Sequence, residues 1–375
     1  MVTPGELLWT PPPARVRDAT LTRYLGWLAA TSSRAVADHD ELWRWSVDDL
    51  DGFWASIWDF FQAGGGRPAG PVLAEREMPG ARWFPGAKVN WAEHALRHDG
   101  GDSPALLAVR EEGEPREVSW ADLRRQVGAF AGTLRSWGVR PGDRVAAYVP
   151  NIPEAVVAVL GTAAAGAVWA ACAPEYGVQA AITRLGQVEP TVLLLVDGYA
   201  HGGRVVDRRA EAAAIARALP TVRRTVWVPY AFPDEPPPDG LEADGWGEAL
   251  GPGAEPEFTP VPFEHPLWVL YSSGTTGRPK GVRKQLAATP FGDPSATPVL
   301  FARAVAGQGR GVGPGSVYLC PAPLYHSAPL VYSMSMQRLG ATVVVMERFD
   351  PRRCLELIER HRVTHAQFVP TMFVR

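Results

Sequence analysis

Between residues 104 and 196 short apolar runs alternate with amphipathic stretches of helical period. PALLAV (104–109) and REVSW (116–120) have the length and content of strands. Beyond them Trp120, Leu123, Val127, Phe130, Leu134 and Trp137 step by three or four, which predicts one buried helix face. Ser119 stands where it can cap that helix, with Asp122 at the capping-box position. Gly138 stops it, and Pro141-Gly142-Asp143 turns the chain. RVAAYVP predicts the next strand; a helix over 153–164, a strand over 167–173, a helix over 178–188 and a strand over 191–196 follow. This alternation predicts an α/β fold with a mostly parallel sheet covered by helices on both faces. The texture resumes at LWVLYSS, with strands at 316–320 and 342–346, a helix over 350–361 begun by Asp350-Pro351, and a strand over 363–369.

Three stretches depart from this texture. Residues 20–62 are rich in Trp and amphipathic, and Trp54, Trp58 and Phe61 can share one helix face, which predicts a small helical cap with an aromatic core. Ala155–Ala173 runs 19 residues without a charge, long enough to span a membrane. Its Ala/Gly/Val content, the flanking Glu154 and Glu175, and the break at Gly166 instead predict a buried helix followed by a buried strand. Residues 229–266 hold ten prolines and nine acids, and no Lys or Arg lies between Arg224 and Arg278. That segment is expected to be a surface excursion rather than a core element.

Charge and cysteine usage narrow the functional classes. The formal net charge of −3 lacks the basic excess of a general nucleic-acid binder. Three cysteines (Cys172, Cys320, Cys354) are too few for a disulfide framework, and C-x-x-C spacing is absent. With an N-terminus unlike a signal peptide, this points to a reducing, cytoplasmic location. Only three of the 37 basic residues are lysines, Lys88, Lys280 and Lys284, so any lysine chemistry must fall on one of them. Lys88 and Lys284 are expected to be surface charges.

One segment carries chemistry. In LWVLYSSGTTGRPKGV (267–282) an apolar strand runs into a loop of glycines and hydroxyls, then a lysine. Glycines let the backbone approach an anion and present N–H donors. Ser272, Ser273, Thr275 and Thr276 add hydroxyls, and Lys280 adds a point charge suited to phosphate. The loop is not a Walker A sequence, because Pro279 precedes Lys280 and Gly281 follows it. GQGRGVG (307–313) lacks a feeding strand and reads as a chance cluster of glycines.

Residues 271–281 match at every position the phosphate-binding signature of the acyl-adenylate-forming (AMP-binding) superfamily, which the chain resembles over most of its length. FWASIWDFFQ and ARWFPGAKVNWAEHALR (81–97) resemble the N-terminal cap of acetyl- and acetoacetyl-CoA synthetases, and residues 148–208 resemble the acetoacetate branch. From 283 to 375 the text, YLCPAPLYHSAPLVYSMSMQRLGATVVVM included, resembles fatty-acyl- and aryl-CoA ligases, which suggests a join of two subfamilies near residue 282.

The resemblance implies a helical cap over 1–100 and a partial adenylation domain over 101–375. It implies an acid–CoA ligase that uses ATP, Mg²⁺ and CoA and forms an acyl-AMP intermediate, with a small carboxylic acid as partner and no nucleic acid or membrane span. Ser272, Ser273, Gly274, Thr275, Thr276, Gly277 and Lys280 would form the triphosphate loop, with Thr276 toward the metal and Lys280 and Thr276 catalytic. His326, in PLYHSAPL, would touch the carboxylate or the γ-region of ATP, or serve a structural role. The family's Tyr-Gly-x-Thr-Glu segment, its ribose-binding Asp motif and its C-terminal lysine have no counterpart here: Tyr176-Gly177 is followed by Val178, and no lysine follows Lys284. The expectation is a C-terminally truncated large domain without the small C-terminal domain. The alternatives are an inactive nucleotide-binding fragment or chimera, or a fatty-acyl or aryl ligase.

Overall fold

The computed structural model describes residues 10–32, 34, 36–77, 80–98, 100–110, 113–271, 281–283, 312–324, 326–369 and 372. After one short helix at Pro13–Arg17 comes the expected helical cap: α1 (Thr20–Thr31), α2 (His39–Asp48) and α3 (Leu50–Phe61). Asp38 caps α2 by accepting the N–H of Glu41 at 2.9 Å, and Asp49 caps α3 by accepting that of Gly52 at 2.9 Å. Trp54 and Trp58 are buried and Phe61 is half-buried. Trp58 packs on Phe84, which packs on Phe263, so the aromatic core of the cap continues into the body of the protein.

After the short α4 (Trp91–Ala95) come β1 (Pro104–Val109), β2 (Arg116–Ser119) and α5 (Trp120–Ser136). Then follow β3 (Arg144–Tyr148), α6 (Pro153–Ala164), β4 (Val168–Cys172), α7 (Val178–Gly186), β5 (Val192–Val196), α8 (Arg209–Arg217) and β6 (Arg224–Val228). The remainder supplies β7 (Asp244–Gly245), α9 (Trp246–Leu250), β8 (Trp268–Tyr271), β9 (Gly281–Arg283), β10 (Val317–Cys320), α10 (Ser327–Arg338), β11 (Thr342–Met346), α11 (Pro351–Arg360) and β12 (His365–Ala366).

Two sheets result. One has seven strands in the order β7-β6-β5-β3-β4-β8-β9, parallel except for the final β8–β9 hairpin. The other has five in the order β12-β10-β11-β1-β2, parallel except for β1–β2. The α/β reading with mostly parallel sheets flanked by helices therefore holds. The face predicted for α5 is the buried one, and Ser119 accepts the N–H of Asp122 at 3.0 Å. Ala155–Ala173 folds as a helix, a turn at Gly166 (φ +76°) and a strand. Among the described residues no helix is long and apolar enough to cross a membrane.

Two expectations need correction. The Pro-rich stretch is not only a surface excursion. It supplies β7 at the sheet edge and buries Trp246, Ala249, Val261 and Phe263. Trp246 packs on Phe130 of α5 at a ring separation of 5.4 Å. Prolines exclude an interior ladder position but leave edge and strap positions open, and Trp246, Val261 and Phe263 turn inward. The strand expected over 363–369 shrinks to His365–Ala366, an edge strand paired only to β10.

Two guanidinium groups meet a buried histidine under the cap. His94 of α4 is buried, and its Nδ1 accepts a hydrogen bond from Nε of Arg338 on α10 at 2.5 Å. Nη1 of Arg97 lies 2.6 Å from its Nε2 and donates to the carbonyl of Phe61 at 2.7 Å. Burial, reinforced by the two guanidinium groups, holds the imidazole pKa well below its usual value, so the ring stays neutral. The unfolded chain takes up that proton near pH 6.5 and the folded chain resists it, so this contribution to stability is present at neutral pH and is lost on acidification. Denaturant titrations between pH 7.5 and 5.5 are expected to give stability falling with pH, at up to about 1.4 kcal/mol per unit for this group below its unfolded pKa. His94→Asn, with no proton to gain, should flatten the slope.

Candidate adenylate site

The parallel strands β3, β4, β5, β6 and β8 all run the same way, so their carboxyl ends gather at one side of the seven-stranded sheet. Ligands of open α/β sheets bind outside the carboxyl ends of the strands. Tyr271, the last residue of β8, opens the signature loop, and Gly281 pairs with it on β9. β8 and β9 thus form an antiparallel pair at this end, and the signature is the stretch of sequence between them. Ser272, Ser273, Gly274, Thr275, Thr276, Gly277 and Lys280 lie outside the described residues, as does Lys284. Of the candidate residues only His326 is described.

His326 follows β10 and is the N-cap of α10. Its N–H donates to the carbonyl of Pro323 at 3.1 Å, closing a turn, and its carbonyl accepts from the N–H of Leu330 at 3.2 Å. The residue is exposed, yet enough protein surrounds the ring for desolvation to lower its pKa. A neutral imidazole at pH 7 can accept or donate a hydrogen bond toward a carboxylate or phosphate.

Several residues at the same end escaped the sequence reading. Asn151, in the turn between β3 and α6, is buried, and its side-chain oxygen accepts the N–H of Leu324. The hydroxyl of Tyr148 lies 2.7 and 2.8 Å from the carbonyls of Pro174 and Tyr176, tying the end of β3 to the turn after β4. In that turn burial raises the pKa of Glu175, against the pull of nearby His201 and Arg208. Tyr230, after β6, donates to Oε1 of Glu347, after β11, at 2.6 Å and so links the two sheets. The guanidinium of Arg184 sits 4.2 Å from the centre of the Tyr176 ring. The signal that could have found these residues is position. Each ends a strand, follows one by a few residues or lies on the next helix, where open α/β sheets place their ligands.

The lysine census also bears on the site. Lys88 is exposed on a two-residue strand that pairs with Val261–Pro262, in keeping with its reading as a surface charge. Among the described residues no group of three or more His, Cys, Asp or Glu side chains is placed to hold a metal ion. The donor set of the loop suits a Mg²⁺ that arrives with a triphosphate, because Mg²⁺ is commonly held by substrate phosphates and few protein oxygens.

The match to the AMP-binding enzyme family model runs over residues 92–375, through residue 282 without a break. The chain belongs to the AMP-binding enzyme family. Residues 39–95 match the acetyl-coenzyme A synthetase N-terminus, which corresponds to the cap. Acetoacetyl-CoA synthetase of Rattus norvegicus is 33% identical over 288 residues, covering 73% of this chain and 42% of that protein. Malonamoyl-CoA synthetase of Penicillium aethiopicum is 36% identical over 258 residues, covering 64% of this chain and 36% of that one. The solved acetoacetyl-CoA synthetase from Streptomyces lividans superposes with a TM-score of 0.84 at 41% identity, covering 96% of this chain and 55% of that one. The family member described here therefore spans about half the length of these relatives or less.

Proposed function

We propose that this chain carries the adenylate-forming part of an ATP-dependent acid–CoA ligase acting on a short 3-oxo acid such as acetoacetate. The observation that carries the reading is the intact signature, Tyr271–Gly281, whose first and last residues pair where β8 ends at the carboxyl side of the seven-stranded sheet. The relatives named for acetoacetyl-CoA and malonamoyl-CoA support the acid class, because both acyl groups are short and carry a carbonyl at carbon 3.

In the proposed reaction a carboxylate oxygen attacks the α-phosphorus of ATP, the bond to the β-phosphate oxygen breaks, and pyrophosphate leaves. The CoA sulfur then attacks the acyl carbon, AMP leaves, and the thiol proton goes to solvent. No protein nucleophile takes part, so the side chains bind, orient and stabilise charge. Ser272, Ser273, Gly274, Thr275, Thr276 and Gly277 would cradle the phosphates through N–H and hydroxyl donors, with the Thr276 hydroxyl toward the metal. Lys280 would offset charge on the departing pyrophosphate, and neutral His326 would orient the carboxylate. Mg²⁺, when bound, would neutralise phosphate charge. We assign the cap to residues 1–100 and the partial adenylation domain to 101–375; the two family matches, which change over at residues 92–95, support a division near there. Three buried cysteines without disulfides fit a cytoplasmic location.

The test is carboxylate-dependent ATP–pyrophosphate exchange on the purified chain with acetoacetate, a medium-chain acid and an aryl acid. Acetoacetate should be preferred, and Lys280→Ala should lower exchange about 10- to 100-fold, the equivalent of one lost charged hydrogen bond. Preference for the medium-chain or aryl acid would move the assignment to that branch, which the text of residues 283–375 resembles. Folded protein without exchange would leave the reading as an inactive nucleotide-binding fragment. A sequencing read across codons 260–300 from source DNA tests the join near residue 282.

A further inference from the structure

Asn151 occupies an unusual place for a buried amide. It belongs to the turn that leaves the seven-stranded sheet, yet its side chain bonds to Ala322, Leu324 and Met346 of the other sheet. Its Nδ2 donates to the carbonyl of Ala322 at 3.4 Å and to that of Met346, the last residue of β11, at 3.5 Å. Its Oδ1 accepts the N–H of Leu324. Ala322 and Leu324 belong to the link between β10 and α10, and the turn Pro323–His326 closes within that link. Beside the amide lies an apolar pocket lined by Val149, Trp169, Ala171, Leu324 and Leu330, so the same link forms one pocket wall.

We infer that Asn151 is a positioning residue: its side chain clamps the 322–326 link of one sheet onto the turn after β3 of the other and so fixes where His326 stands. The amide suits this task. A buried carbonyl needs a donor and a buried N–H needs an acceptor, and one Asn side chain presents both along a single edge. Leaving such groups unsatisfied costs more than the bond itself contributes, so the link is expected to loosen rather than stay in place when the amide is removed. The effect on catalysis, through His326, rests on the ligase reading; the clamp does not.

Hydrogen exchange by mass spectrometry on the full chain tests the clamp directly. In Asn151→Ala, amides of 322–330 should exchange about ten-fold faster, with β3 and α6 protected as in the wild type. Asn151→Asp keeps the acceptor for Leu324 and loses both donors, so it should fall between; it also answers the question if the alanine variant does not fold. In the exchange assay KM for the carboxylate should rise about ten-fold while KM for ATP stays unchanged. Wild-type protection at 322–330 in both variants, or equal loss throughout β3 and α6, would overturn the inference. So would an equal rise in both KM values. A wild-type chain without exchange activity would overturn the functional reading instead, and amide exchange would still decide the clamp.

Discussion

Gly128→Ala is expected to destabilise the protein by about 3 kcal/mol, whereas Gly132→Ala, one turn along the same helix, should stabilise it by about 0.5–1 kcal/mol. Both glycines lie within α5, where alanine has the better intrinsic propensity. Their surroundings decide the opposite signs. A Cβ at Gly128 would stand 2.0 Å from the carbonyl oxygen of Ala254 and 2.6 Å from backbone atoms of Glu255 and Pro256. A Cβ at Gly132 would meet nothing within 4 Å. The Pro-rich strap crosses α5 in direct contact with its backbone and is held there by the N–H of Ala254 on the carbonyl of Arg125 and by the Arg135 guanidinium on the carbonyl of Glu257. Backbone cannot step aside as the tip of a flexible side chain can, so the strap must lift. Chemical denaturation of both variants measures the difference. A Gly128→Ala variant as stable as the wild type would mean that the strap is held loosely and its crossing is not structural.

Asn90→Ala should cost a similar amount, about 3 kcal/mol, for a different reason. The buried Asn90 caps α4 by accepting the N–H groups of Ala92 and Glu93. From the same amide Nδ2 donates to the carbonyls of Ala163 and Thr259 at 2.9 Å and Ala164 at 3.3 Å, so it serves the last turn of α6 and the strap together. Alanine loses the cap, worth about 1 kcal/mol, and takes its side-chain donor from the half-buried carbonyl of Thr259. Asn90→Ser separates the two contributions. Its hydroxyl can still cap α4 but is too short to reach the strap, so it should recover only about 1 kcal/mol. Full recovery by serine would show that the long-range bonds contribute little.

These residues also mark where the sequence was legible. The face of α5 announced itself because its large apolar side chains recur at the helical period, and burial follows period. The helix–turn–strand reading of Ala155–Ala173 succeeded because Gly166 supplies a left-handed turn that a spanning helix cannot contain. The strap misled because its prolines describe only what the backbone refuses to do, while the inward turn of Trp246 and Phe263 depends on surfaces supplied by α5 and the cap. Asn90 and Asn151 were invisible for a related reason. A buried amide is defined by its partners, and those of Asn151 lie 171 to 195 residues away along the chain. The signature loop was legible as chemistry, because its donors are contiguous. The carboxyl-end setting and the residues gathered there from five separate strands were not.

The second sheet has a consequence for how the chain is made. β1 is apolar on both sides, with Leu106 facing the main core and Leu107 a separate cluster under α11. Its antiparallel neighbour β2 follows within seven residues, but its parallel neighbour β11 starts more than 200 residues later. A ribosome adding about 5–20 residues per second leaves that edge bare for about 10–50 s. The seven-stranded sheet can meanwhile assemble β3, β4, β5 and β6 from adjacent sequence. Nascent chains should therefore carry one nearly finished layer beside an unsatisfied hairpin, an interval in which an open apolar edge invites chaperones or a neighbouring nascent chain.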